Sequence, residues 1–207
     1  MTRRTRAEQA TDNRERVLKA ARYTFRRKGF HAASLDEIAD EAGFSKGVVY
    51  SQFGSKDDLF FALLERRIEQ RAAENLAAVR NAADGAAIQD LWRLGQAAQR
   101  SDPEWLLLVL EFRIHAARDP RLNQRYAELH GRTLAGLSQT IEALVDRSGS
   151  RPAYPAHDLA VLLAALDNGA ALEDLVADSE TAGRLARTAF AGLLTGATPA
   201  IQDKDEQ

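Results

Sequence analysis

Ser34-Leu35-Asp36-Glu37-Ile38-Ala39-Asp40-Glu41-Ala42-Gly43-Phe44-Ser45-Lys46-Gly47-Val48-Val49-Tyr50-Ser51-Gln52-Phe53-Gly54 is the stretch that decides the fold. Ser34 and Glu37 have capping-box spacing, so a helix starts at Leu35. Leu35, Ile38, Ala39 and Ala42 then recur at i, i+3, i+4, i+7, one apolar face of a short helix. Gly43 ends it. Ser45 is placed to cap a second helix over Lys46–Gln52, and Gly54 stops that one. Two short helices joined by a turn of about three residues have helix-turn-helix spacing, in which the second helix enters the major groove. Ala39 and Gly43, four apart, are small enough for close crossing.

The second helix reads as a wheel at about 100° per residue. Val49 and Phe53 share the side expected to pack on the preceding helices, and Val48 and Gln52 flank it. Lys46, Gly47, Tyr50 and Ser51 share the opposite side. Lysine can reach guanine acceptors or a phosphate. Glycine lets the backbone come close. The two hydroxyls suit phosphates or base edges. Gln52 can bond a phosphate from its flanking position, or adenine. Ser34, Ser45 and Lys56 stand at helix N-termini, where N–H groups and the helix dipole favour phosphate. Ser34, Ser45 and Ser55 also read as simple caps, Tyr50 as a half-buried aromatic, and Lys46 and Lys56 as solvated surface.

Upstream, Val17, Leu18, Ala21 and Phe25 form the apolar stripe of a helix over about 9–28, stopped by Gly29. Arg3, Arg4 and Arg6 open a polar arm expected to be disordered. Downstream the pattern stays helical, over about 56–81, 86–99, 103–117, 120–147, 156–177 and 180–195. Asp102-Pro103 and Asp119-Pro120 each place a cap before a proline at the first helical position.

The whole chain agrees with this. It has 207 residues, enough for one or two compact units. Alanine, the best intrinsic helix former, supplies 38 of them, and all five prolines fall after residue 102. No cysteine is present, which excludes disulfide scaffolds, zinc ribbons and thiol chemistry. The longest uncharged run, Thr188–Gln202, has fifteen residues and is too short to span a bilayer. A soluble cytoplasmic protein without a secretory signal is the expectation. The net charge of −2 conceals an asymmetry. Residues 1–56 carry twelve basic and seven acidic side chains, whereas the remainder carries sixteen against twenty-three. Such polarisation points to a nucleic-acid face at the basic end, or to solvated helix surface.

Val17-Leu18-Lys19-Ala20-Ala21, Phe25, Gly29-Phe30, Ser34-Leu35-Asp36-Glu37-Ile38-Ala39, Ala42-Gly43-Phe44-Ser45-Lys46-Gly47, Val49-Tyr50 and Phe53-Gly54-Ser55-Lys56-Asp57-Asp58-Leu59 together resemble the N-terminal signature of TetR-family transcriptional regulators. The resemblance covers residues 12–60 without a gap. It departs at Ser51 and Gln52, where the family often has a bulky polar residue and then an aromatic or His, so the operator cannot be inferred from relatives. The resemblance implies an all-α protein of about nine helices. Residues 1–55 would form a three-helix DNA-binding domain, and residues 56–207 a ligand-binding and dimerisation domain. It implies a homodimeric one-component regulator, a repressor of a pseudo-palindromic double-stranded operator, released by a small-molecule inducer.

The C-terminal residues carry no catalytic set, and no cofactor is expected. Glu111 and His115 are i,i+4, whereas the di-iron helix motif needs i,i+3. The four histidines have no metal spacing. Trp105, Leu108, Phe112 and His115 align at i, i+3, i+7, i+10, with Trp92, Tyr126 and His130 on neighbouring helices. The resemblance places an inducer pocket here; core packing is the alternative. Leu159, Leu162, Leu163, Leu166 and Ala170 form one stripe on the last two helices. Leu185, Ala189, Leu193 and Gly196, with Gly192 beside them, form another. These are the expected dimer face, against an intramolecular core. Two rivals stand beside the regulator: a helical ligand-binding or enzymatic bundle with a vestigial helix-turn-helix, and a scaffold acting through protein partners.

Overall fold

Thr5 is the N-cap of the first helix. Its hydroxyl accepts from Glu8 N while the Glu8 carboxylate accepts from Thr5 N, a capping box that starts α1 (Arg6–Ala32). Arg6 is thereby part of a helix rather than of the polar arm. The computed structural model describes residues 5–81, 103–177 and 181–196. After α1 come α2 (Leu35–Ala42), α3 (Lys46–Phe53), α4 (Lys56–Asn81), α5 (Pro103–Ala117), α6 (Pro120–Ser148), α7 (Ala156–Ala177) and α8 (Thr181–Thr195). Among the described residues these eight helices occur and no strand. The helix expected over 86–99 lies outside them.

The cap chemistry read from sequence sets most boundaries. Ser34 Oγ accepts from Glu37 N at 3.2 Å, and Glu37 accepts from Ser34 N at 3.3 Å. Gly43 takes the left-handed conformation at φ 70° and ψ 36°, which a residue with a Cβ adopts only with strain. Asp119 accepts from Arg121 N and Leu122 N and so caps α6. Gly29 interrupts α1 at φ 79°, ψ 170°, so Phe30–Ala32 form a turn set off from the helix before it.

The described chain divides into two units. One comprises residues 5–70 and 103–129, the other residues 71–81, 130–177 and 181–196. The first has a core in which the expected α1 stripe of Val17, Leu18, Ala21 and Phe25 is buried. Ile38 and Ala39 of α2, Val49 and Phe53 of α3, and Leu59, Phe60 and Leu63 of α4 pack on it. Leu108, Phe112 and Ala116 of α5 close the far side. Phe30, Phe60, Phe61 and Phe112 form a ring cluster. Phe60 stacks on Phe112 at 4.3 Å, and Phe30 and Phe61 meet Phe112 edge-on at 4.9 and 5.0 Å. The second unit has its own core of Ile141 and Leu144 from α6, Leu159 and Ala160 from α7, and Phe190 and Leu194 from α8.

Candidate nucleic-acid interface

α3 is one turn of chain away from α2, across Gly43, Phe44 and Ser45. Its two sides separate as the wheel predicts. Val49 is fully buried and Phe53 is 6% exposed, which anchors the helix to the core. Lys46, Gly47, Tyr50 and Ser51 are exposed together, and the Tyr50 ring stands 48% exposed. A Cβ built on Gly47 meets nothing within 4 Å, so no packing contact of this chain requires glycine there.

The polar groups around this face have distinct partners. Ser34 Oγ caps α2 as described. Ser45 occupies the N-cap position of α3, but its side chain makes no cap hydrogen bond. Ser51 donates to Val48 O at 2.9 Å, within its own helix. Lys46 Nζ is paired with the Asp36 carboxylate, and that hydrogen bond, with added attraction from Asp36 and Asp40, holds the ammonium proton more tightly than usual.

Two of the expected contact residues have distinct surroundings within the chain. The Lys56 ammonium donates to the carbonyls of Phe30, His31 and Ala33 at 2.8, 3.0 and 2.9 Å and lies 4.7 Å from the centre of the Phe30 ring. All three of its donors are engaged, so Lys56 serves as a tie within the protein. Burial pushes its pKa down. Gln52 is half-buried, with its Oε1 turned inward and lacking a hydrogen-bond partner; a phosphate contact would use its Nε2 donor instead.

Arginines of α1 brace the turn, a role the sequence reading missed. Arg16 donates to Ala42 O at 2.9 Å, at the C-terminal end of α2, where a cation complements the dipole. Its guanidinium also covers the Phe44 ring at 4.4 Å, and that of Arg14 covers Phe53 at 4.6 Å. Glu111 of α5 performs a matching task at the Gly29 interruption. Its carboxylate accepts from Phe30 N at 2.9 Å and His31 N at 3.1 Å. A Cβ at Gly29 would come within 2.9 Å of that carboxylate. The 29–33 turn is thus held through its amides by Glu111 and through its carbonyls by Lys56. A lysine at the start of α4 opposes the helix dipole, and that was the available signal that Lys56 has another partner.

Much of the aromatic stripe of α5 packs in the core of the first unit. Leu108 is 2% exposed and Phe112 is fully buried. His115 Nε2 lies 3.1 Å from Asp57 Oδ1, and its ring packs beside Phe30 and His31. Trp105 stands on an open cleft lined by charged side chains of α1 and α4, including Arg16, Arg22 and Arg66, unlike an apolar ligand pocket. Tyr126 is half-buried against the same core, and burial pushes its phenol pKa up. His130 belongs to the second unit, and Trp92 lies outside the described residues.

Part of the leucine stripe of α7 faces the second core. Leu159 is fully buried, and Leu163 and Leu193 pack partly buried against the second core. Leu162, Leu166, Ala170 and Gly192 are half-buried. Gly196 ends α8 at φ 71°, with the Arg151 carbonyl 2.9 Å from where a Cβ would be. Leu185 and Ala189 are exposed as expected. The exposed stripe of α7 is a different one: Val161, Ala165, Gly169, Leu172 and Val176, at i, i+4, i+8, i+11 and i+15. Val176 is 88% exposed.

Two family models match the chain. "Bacterial regulatory proteins, tetR family" matches residues 17–63. "BetI-type transcriptional repressor, C-terminal" matches residues 86–196, more than half of the chain. The transcriptional activator FasR of Mycolicibacterium smegmatis is 41% identical over 73 residues, which are 35% of this chain and 33% of that protein. The repressor NicS of Pseudomonas putida is 30% identical over 142 residues, 67% of this chain and 66% of that protein. The chain therefore spans about a third of the one relative and just under two thirds of the other. Among solved structures, a TetR-family regulator from Mesorhizobium loti superposes with a TM-score of 0.70 at 24% identity, covering 91% of this chain and 98% of that one. FadR of Bacillus subtilis, solved with stearoyl-CoA, gives 0.68 at 16% identity, covering 88% and 98%. A regulator from Saccharomonospora viridis, solved with choline, gives 0.65 at 22%, covering 87% and 94%. At these identities the solved structures establish the fold.

Proposed function

Because the chain belongs to the TetR family of bacterial transcriptional regulators, we propose that it is a homodimeric repressor that reads a pseudo-palindromic operator with α3 of each subunit. The observation that carries this reading is the exposed face of Lys46, Gly47, Tyr50 and Ser51, on a helix anchored by Val49 and Phe53. In this reading Tyr50 and Lys46 meet bases or phosphates, Gly47 admits close approach, and the Ser34, Ser45 and Ser51 hydroxyls add backbone or base contacts. Lys56, tied within the protein, is left outside the contact set.

A second copy would cover the exposed apolar stripe of α7, together with Leu185 and Ala189 of α8. A symmetric dimer presents two heads to half-sites about 34–36 Å apart, the arrangement such readers need. Ala165 and Gly169 would allow two α7 helices to approach closely. The C-terminal region would bind a small molecule that favours a dimer with wrongly spaced heads, by its difference in affinity for the two states. The acyl-CoA and choline complexes of proteins with this fold support a small-molecule effector of some kind. They are too unlike each other to define its class.

Mobility-shift assays on the DNA upstream of the chain's own gene test the reading. Sequence-preferring, salt-sensitive binding that weakens in Tyr50→Ala is expected. Absence of such binding, or a Tyr50→Ala variant that binds as the parent does, would overturn it.

A further inference from the structure

The reading segment is acidic. Between residues 34 and 54 stand four acids, Asp36, Glu37, Asp40 and Glu41, and a single base, Lys46. The basic excess of the N-terminal region lies on α1 and before it, and much of it is engaged inside the first unit. Arg14 covers Phe53, Arg16 binds Ala42 O, Arg26 pairs with Glu104 at 2.9 Å and Lys28 pairs with Glu37. The one cation on the exposed face of α3 is itself held by a carboxylate of α2. Both side chains of that pair are accessible, 59% for Lys46 and 43% for Asp36, so the pair can open without unfolding anything.

We infer that Asp36 is a specificity-determining residue, an internal counter-ion that holds Lys46 and weakens its attraction to phosphate on DNA of arbitrary sequence. The inference rests on the DNA-reading function proposed above. On any duplex, Lys46 has to leave Asp36 before it can neutralise a phosphate, and the vacated carboxylate then faces a polyanion. Non-specific binding, which is nearly all phosphate electrostatics, bears this cost in full. On the operator a smaller share of the binding passes through a Lys46–phosphate contact, because Tyr50, Ser51 and the close approach at Gly47 carry the rest, so Lys46 stays with Asp36 for more of the time and less of the cost is incurred. Asp36 therefore widens the ratio of specific to non-specific binding while lowering both affinities. Glu37 cannot serve in its place, because its carboxylate is engaged by Lys28 and Ser34 N.

The test uses the full-length chain and two fluorescent duplexes, one of mixed sequence and one recovered by selection from a random pool. Anisotropy is measured across a salt series for wild type, D36N, D36E, K46Q and D36N/K46Q, with circular dichroism to confirm folding. D36N is expected to bind the mixed duplex about two- to fivefold more tightly, as an exposed ion pair allows. Its salt slope should steepen by about 0.9, one more phosphate contact. The selected duplex should gain less, and D36E should behave as wild type. In the K46Q background the D36N gain should disappear. A D36N variant with wild-type affinity and slope would overturn the inference and leave the DNA-reading proposal standing. A gain that persists in full beside K46Q would also overturn it, because Asp36 would then act by plain repulsion. A wild-type chain that binds neither duplex at any salt would instead remove the DNA-reading proposal, and this inference with it.

Discussion

Replacing Gly47 by alanine separates folding from DNA reading with one methyl group. Gly47 is the second residue of α3, its φ is not in the left-handed region, and an added Cβ meets no atom within 4 Å. The folded chain therefore accommodates alanine without strain. Alanine also restricts the unfolded chain and favours helix, by up to about 1 kcal/mol relative to glycine in a helix interior. For a protein of this length that raises Tm by roughly 2–4 °C. The interface should respond in the opposite direction. Hydrogen bonds between α3 and DNA require heavy atoms about 2.7–3.2 Å apart and weaken steeply beyond that. A methyl group between the helix backbone and the groove wall pushes α3 out by more than this tolerance. Losing two contacts at about 1–1.5 kcal/mol each reduces affinity roughly 30- to 150-fold per head. Urea or thermal denaturation reads the first effect, and anisotropy on the selected duplex reads the second. A G47A chain that is more stable and binds as tightly as wild type would refute the claim that the DNA backbone approaches α3 at this residue.

Further outcomes follow from the other contacts. Lys56→Met leaves the Phe30, His31 and Ala33 carbonyls without their donor. It should lower unfolding free energy by about 1–3 kcal/mol. If affinity falls while the urea midpoint stays put, Lys56 is a DNA contact after all. For Asp58, burial opposes ionisation but is outweighed by hydrogen bonds from Ser55 and Arg125, so its carboxyl pKa lies below the ordinary range. A group depressed on folding stabilises fully above the usual aspartate value of about 3.9, and that stabilisation is lost as pH falls through the folded-state value. Stability measured from pH 6 to pH 3 should decline less steeply in Asp58→Asn than in wild type; parallel curves would show that the pair contributes nothing. Val176→Asp should leave the fold intact and shift sedimentation toward monomer, since Val176 is 88% exposed. Leu159→Ala should instead destabilise by about 2–5 kcal/mol, because Leu159 is core.

The head was legible because its signals are local. A capping box, a left-handed glycine and a wheel with Val49 and Phe53 opposite Tyr50 depend on residues within a few turns of one another. The C-terminal stripes are ambiguous for a physical reason. α7 carries Leu, Val and Ala around most of its circumference, so periodicity cannot separate the face buried by α6 and α8 from the face left exposed. The face with most leucines includes Leu159 and Leu163, which belong to the intramolecular core, while Leu172, Leu175 and Leu185 stand exposed. The smaller residues Val161, Ala165 and Gly169 lie outside. The α5 stripe is ambiguous between pocket wall and core for a related reason. Phe112 is spaced as a pocket wall would be, and only the long-range approach of Phe30, Phe60 and Phe61 makes it core.

Charge required the most revision. The basic surplus of residues 1–56 suggested a nucleic-acid face by simple count. Four of those twelve cations do a different job. Arg16 closes the end of α2 over Gly43, Arg14 covers Phe53, and Lys28 holds the Glu37 cap. Lys56 fixes the turn that follows Gly29. Each sits against a carbonyl, a ring face or a carboxylate of a neighbouring helix. A small three-helix head has little apolar area with which to fix the angle between α2 and α3. Directional cationic contacts from α1 supply that constraint where packing alone is weak. These four contacts serve the geometry of the head, and the reading face it positions carries hydroxyls, a bare glycine and one lysine already in partnership with Asp36.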